Sequence, residues 1–217
     1  MTTRAWTWHR PRLLTLLAGF LLTGCVDGLS NSALDAHRAA PSAVQVAGGR
    51  LTIVGPRGFC VDTSASRDAA SGAFVLMGSC ASLSGSMTAA RPRDLAVVTA
   101  SAYPDGGAAA EFTASFPAMA SFLTSPAGRA ALSRSGKAAS VQILAITSRD
   151  GVMFVHAEDR APAPGQDVEL DYWRALLALK GQIITLSVLG LKAQPLGPDA
   201  KRSLLEAFVA KVQAANR

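Results

Sequence analysis

The side chains best placed to do chemistry are His156, Glu158 and Asp159, at the end of the apolar run Val152-Met153-Phe154-Val155. An imidazole with a carboxylate two residues on suits a general base with an orienting acid, or two ligands of a metal ion. A strand would place His156 and Glu158 on the same face, because alternate residues share a face. A third ligand would have to come from elsewhere, and no HExxH or comparably dense spacing supplies one. The plainer reading is a strand that turns polar as it leaves its sheet, so no metal is expected.

Other chemistries fail on their spacing. Gly136-Lys137 comes nearest to a phosphate-binding loop, but Ala138 stands where Ser or Thr should hold Mg²⁺, and Ala131 where the leading Gly belongs. Ser79 and Ser84 both lack the flanking glycines of a nucleophile elbow. A Ser-His-Asp hydrolase would have to be assembled from distant parts around His156. Lys and Arg are scattered, with no run to track phosphates, and nucleic acid is not an expected partner. Arg57 and Arg67 flank Cys60 with Asp62 and Asp68 interleaved, a pattern that suits local ion pairs better than an anion site. No cofactor is expected, and the chain reads as a non-enzyme.

The leading stretch carries a different kind of information. Arg4, Arg10 and Arg12 precede the apolar run Leu13–Thr23, with no acid among them. A basic segment, a short apolar segment and small residues are the parts of a secretory signal. The run is about half the roughly 20 residues that a bilayer-spanning helix needs. Leu22-Thr23-Gly24-Cys25 resembles the lipobox of bacterial lipoproteins: a Leu, two small residues and a Cys. That resemblance implies cleavage of a signal peptide, residues 1–24, a diacylglyceryl thioether on Cys25, an acylated amino terminus and attachment to a membrane through the lipid. Val26 stands where an Asp retains many such proteins in the inner membrane, so the resemblance favours the outer membrane and a domain facing the periplasm.

Losing residues 1–24 takes three cations and no acid, so the formal charge falls from +6 to +3, and much of the basic pI belongs to the leader. The remaining 193 residues are ample for one domain with its own core. With Cys25 lipidated, Cys60 and Cys80 are left either to pair in an oxidising compartment or to hold a soft metal or redox centre. No CxxC spacing and no nearby His supports the latter, so a structural disulfide is expected. A bridge around a loop of this length contributes roughly 3 kcal/mol.

The elements that must position these groups follow in order. Residues 25–49 comprise the lipidated Cys25 and a small, polar, Ala-rich tether, whose reach if flexible is roughly 27 Å. His37 within it reads as solvated. A single α+β domain is expected over 50–217. Leu51–Val54, Phe59–Asp62, Ala73–Met77 and Leu95–Ala100 read as strands, with loops over 63–72 and 81–93. Pro117 opens one short helix through Leu123, and Ser125-Pro126 opens another, with Gly136 at its C′ position and Arg134 near its end. Asp150-Gly151 between Val141–Thr147 and Val152–His156 marks a hairpin. Tyr172–Leu179 and Ile183–Leu189 form a second hairpin, turning at Lys180-Gly181-Gln182. Leu204, Leu205, Phe208, Val209 and Val212 give one apolar face to a closing helix over Pro198–Ala214. The sum is an antiparallel sheet of short strands, with a central helical region and a C-terminal amphipathic helix packed on it.

The stretch Gly55–Cys80, with GFCVD and FVLMGSC within it, resembles a signature of small uncharacterised alphaproteobacterial lipoproteins, and the C-terminal hairpin and helix are similar too. The order of elements is also similar to PsbP-like domains, which act as assembly or docking factors. These resemblances imply a non-catalytic binding or envelope-assembly module with an envelope protein as partner. The rival is an envelope hydrolase or metal-binding protein centred on His156.

Overall fold

The hairpin cues in the sequence are realised as tight turns. Asp150 and Gly151 have φ of 52° and 75°, and Lys180 and Gly181 have 51° and 70°. Two consecutive left-handed residues make the turn that matches the natural twist of antiparallel strands. The computed structural model describes residues 39–107, 111–162 and 167–217. The signal segment, Cys25, His37 and most of the expected tether lie outside the described residues.

Among the described residues nine strands form: β1 (Ala43–Val46), β2 (Leu51–Val54), β3 (Phe59–Ala69), β4 (Gly72–Ser79), β5 (Ala96–Pro104), β6 (Val141–Arg149), β7 (Val152–Asp159), β8 (Val168–Leu179) and β9 (Gln182–Leu191). Accompanying them among the described residues are the α-helices α1 (Cys80–Ser84), α2 (Phe116–Thr124), α3 (Pro126–Leu132) and α4 (Pro198–Ala215). β1 and β2 make a small hairpin of their own, and the other strands form one sheet in the order β3-β4-β5-β9-β8-β7-β6. Every pairing is antiparallel. The antiparallel α+β architecture expected from the sequence is therefore the one formed, including the strand assignment of Tyr172–Leu179.

Several boundaries differ from expectation. The tether was to run to Gly49, yet Ala43–Val46 pairs with Leu51–Val54. Val46 and Leu51 are buried in the main core, so a short apolar pair overrides the small, polar composition around it. The loop expected over 63–72 is mostly strand: β3 continues to Ala69 at the sheet edge, with a register break between Asp62 and Arg67. An edge strand exposed to water can be polar along its length, which is why its composition reads as loop. The loop expected from residue 81 begins instead as the single helical turn α1. Gly136 does not cap α3, which ends at Leu132 with Ser133 already extended; Gly136 serves a later turn at φ 70°.

Each face of the sheet carries a core. On one face α4 buries Leu205, Phe208, Val209 and Val212 against Trp173, Ala175, Ile184, Leu186 and Val188, and the same core extends to Phe59, Met77 and Ile53. Asn216 at the end of α4 accepts from the Thr52 backbone N–H (2.9 Å) and donates to its carbonyl (2.7 Å), tying the helix to β2. On the other face Phe112, Phe116, Leu123 and Leu132 pack on Met153, Val155, Ala157 and Tyr172. Phe112 and Phe116 meet edge to face at 5.3 Å.

Candidate functional site

His156 is held by its strand register. It pairs across β7–β8 with Trp173, and the two rings stack at 4.6 Å with an interplanar angle of 5°. Asp171 lies two residues before Trp173 on the same face, and its Oδ2 is 3.2 Å from His156 Nε2. Its Oδ1 accepts from Lys201 Nζ at 2.5 Å. Lys201, in the first turns of α4, has no exposed side-chain surface and lies 3.0 Å from Glu169 as well. Glu169 in turn accepts from the Leu196 backbone N–H at 3.0 Å. Its carboxylate fills the space beside Gly190, where a Cβ would stand 1.7 Å from Oε2.

A second layer of charge closes over the tryptophan. The Arg202 guanidinium sits 4.9 Å from the Trp173 ring and 5.6 Å from Phe154. Glu206 pairs with Arg202 (3.1 Å) and Arg149 (3.4 Å). Burial pushes the Asp171 carboxyl up, but the Lys201 and His156 hydrogen bonds and charges outweigh it and hold the group below the usual carboxylate range. Trp173 Nε1 is buried with no hydrogen-bond partner among the described residues.

The residues singled out in the sequence separate here. His156 and Glu158 do share a face, but Glu158 turns to Arg160 in a two-point pair of 3.0 and 3.1 Å. Asp159 points the other way and is 1% exposed. It accepts from the backbone N–H groups of Arg134 (2.7 Å) and Ala161 (2.9 Å) and pairs with the Arg134 guanidinium at 3.3 Å. Burial raises its pKa, and those donors outweigh burial and bring it down. No group of three His, Cys, Asp or Glu that could hold a metal forms among the described residues. His156–Asp171 has the form of a base with its orienting acid, yet among the described residues the ring hydrogen-bonds Asp171 and no hydroxyl. Sequence reasoning missed Asp171, Lys201 and Trp173: the β7–β8 pairing sets Trp173 opposite His156, and the sequence between those strands carries no signal that fixes its register.

Cys60 and Cys80 form the expected disulfide, joining the start of β3 to the start of α1 with their Cα atoms 4.8 Å apart. The ion-pair network expected around them does not form among the described residues. Arg67 instead lies over the Phe74 ring at 5.0 Å. Asp62 accepts from Ser64 and Ala65 within its own turn, which holds its carboxyl below the usual range, the Ser64 hydroxyl acting most. Asp68 accepts from the Ala47 N–H.

The second sheet face is covered unevenly. α2 and α3 lie toward β6 and β7, whereas Phe74, Leu76, Val97, Thr99, Ser101 and Thr185 on β4, β5 and β9 remain half-buried, and Tyr103 is 52% exposed. Cross-strand pairing aligns Leu76, Thr99 and Ser187 in one row and Phe74, Ser101 and Thr185 in the next.

No family model matches the chain, and no curated protein sequence matches it. Among solved structures the chain is similar to the Ran-binding protein Mog1p of Saccharomyces cerevisiae. The match has 12% identity and a TM-score of 0.38, and covers 81% of this chain and 94% of that one. A likeness of that size bears on neither activity nor partner.

Proposed function

We propose that this chain is a lipid-anchored lipoprotein of the bacterial cell envelope, whose α+β domain faces the periplasm as a binding or assembly module rather than an enzyme. The carrying observation is the Cys60–Cys80 bridge. Structural disulfides belong to oxidising compartments. The bridge takes two of three cysteines, and the third, Cys25, ends the lipobox-like segment. Outer-membrane attachment follows from Val26 on the same resemblance. The half-covered face of β4, β5 and β9 is the surface offered to an envelope protein.

Replacing Cys25 by Ala tests the reading. The wild-type chain should fractionate with membranes and carry its lipid on the Cys25 peptide by mass spectrometry. The variant should leave the membrane fraction and fail to complement a deletion strain, while its domain melts unchanged. Full complementation by the unanchored variant would overturn the proposal. The hydrogen-bonded His156–Asp171 pair favours one rival, an envelope hydrolase or metal-binding protein centred on His156. That rival requires His156→Ala to abolish complementation with stability intact; the binding reading expects this variant to complement.

A further inference from the structure

Pro41 accepts from the Val61 N–H at 2.7 Å, and Ser42 accepts from the Gly55 N–H at 2.9 Å. This seats residues 39–42 beside the β2–β3 link, and Ala39, Pro41 and Leu83 line one groove. The link contains Gly58, at φ 85°, where a Cβ would stand 2.3 Å from Pro92 N and 2.4 Å from the Arg91 carbonyl carbon. The Arg91-Pro92 backbone therefore lies directly on Gly58, so Arg57 and the Arg91–Arg93 segment flank one close backbone contact.

All three arginines are exposed, and none forms a salt bridge among the described residues. Asp94, half-buried next to Arg93, is the neighbouring acid, and Asp62 is taken by its own turn. The Cys80 N–H donates to the Gly58 carbonyl, which brings α1 to the same link; Leu83 on α1 is 38% exposed, and Met87, between α1 and Arg91 in sequence, is 82% exposed. Residues 26–38 separate Cys25 from Ala39, a distance of at most about 50 Å for a fully extended chain.

We infer that Arg57, Arg91 and Arg93, with Leu83 and Met87, form the face by which this domain lies on an anionic phospholipid surface. The inference rests on the anchoring reading, since a lipid on Cys25 keeps this end of the domain near headgroups. Charge complementarity selects the occupant: unpaired guanidinium groups meet phosphates, and two exposed apolar side chains enter the interface between them. Each arginine close to an anionic surface favours contact by roughly five-fold.

The test uses the mature lipoprotein in vesicles of phosphatidylcholine alone or mixed with phosphatidylglycerol, with hydroxyl-radical labelling read residue by residue. Labelling of Met87 and Leu83 should fall by roughly ten-fold in the anionic vesicles only. Leu144 and Tyr103, exposed elsewhere, should label equally in both. Salt at 0.5 M, where the screening length is about 4 Å, should restore Met87 labelling. The combined variant Arg57→Glu, Arg91→Glu, Arg93→Glu should restore it at low salt. Equal labelling of Met87 in both vesicles would overturn the inference. So would protection in native membranes but not in phosphatidylglycerol vesicles, which assigns the face to a protein. The intact mass reports separately on the anchor. Should Cys25 prove unmodified, flotation of that same chain with phosphatidylglycerol vesicles supports the face, and failure to float overturns it.

Discussion

Removing the ammonium of Lys201 leaves Glu169 and Asp171 facing one another beneath α4 with no cation between them. Breaking a buried charge cluster from one side costs several kcal/mol, because the partners keep their desolvation without their attraction. Both carboxylates retain some contact with water, so Lys201→Ala should lose about 3 kcal/mol, the low end of that range, measured by urea unfolding. The cluster also sets an acid limit. Asp171 and Asp159 have pKa values lowered by folding. Each contributes stability that is present above its unfolded value and lost as pH falls through the folded one. Stability should therefore drop below about pH 4. Asp171→Asn should make that fall shallower; an unchanged acid profile would place the sensitivity elsewhere. Cys60→Ser removes the link between β3 and α1 and should cost about 2–5 kcal/mol, seen as a lower Tm.

Among the elements, the corner between α2 and α3 is held by close backbone approach. A Cβ on Gly128 would stand 2.0 Å from the Phe122 carbonyl oxygen, while the Ser125 hydroxyl accepts from the Gly128 N–H to cap α3. Gly128→Ala must push the helices apart and should cost about 1–3 kcal/mol by thermal unfolding. The corner was legible as Ser125-Pro126, a cap followed by a first-turn proline, and both hairpins were legible from Asp150-Gly151 and Lys180-Gly181. These signals are local: a turn or a cap needs only neighbouring residues. β1 and the outer part of β3 were not legible, because their strand character comes from partners and not from their own composition. The site was legible only in part for the same reason. His156 stood out, but Asp171 and Lys201 reach it through register and helix packing, which sequence spacing does not reveal.

For the molecule as a whole, the two cores lie on opposite faces but share β7, β8 and β9. Trp173 and Ala175 face α4, while Tyr172, next to Trp173 on the same strand, faces α2 and α3. A strand cannot leave one core and remain in the other, so the two should unfold together. Phe208→Ala and Phe116→Ala each open a cavity worth about 3–5 kcal/mol. Both should move one shared transition, seen alike by fluorescence and circular dichroism. Separate transitions in either variant would show that the faces melt independently.

The seam between β5 and β9 joins parts of the chain about 90 residues apart, with Val98 opposite Val188 and Ala100 opposite Leu186. As the polypeptide emerges residue by residue, β3, β4 and β5 can assemble early, but β5 then presents a bare edge until β9 arrives. That edge is buried in the finished sheet and carries alternating apolar residues with no charge between Ala96 and Ala102. It is thus a template for any extended strand it meets during that interval. Folding of this chain is a race between its own last hairpin and its neighbours, and slow delivery of the C-terminal third should cost yield long before it costs stability.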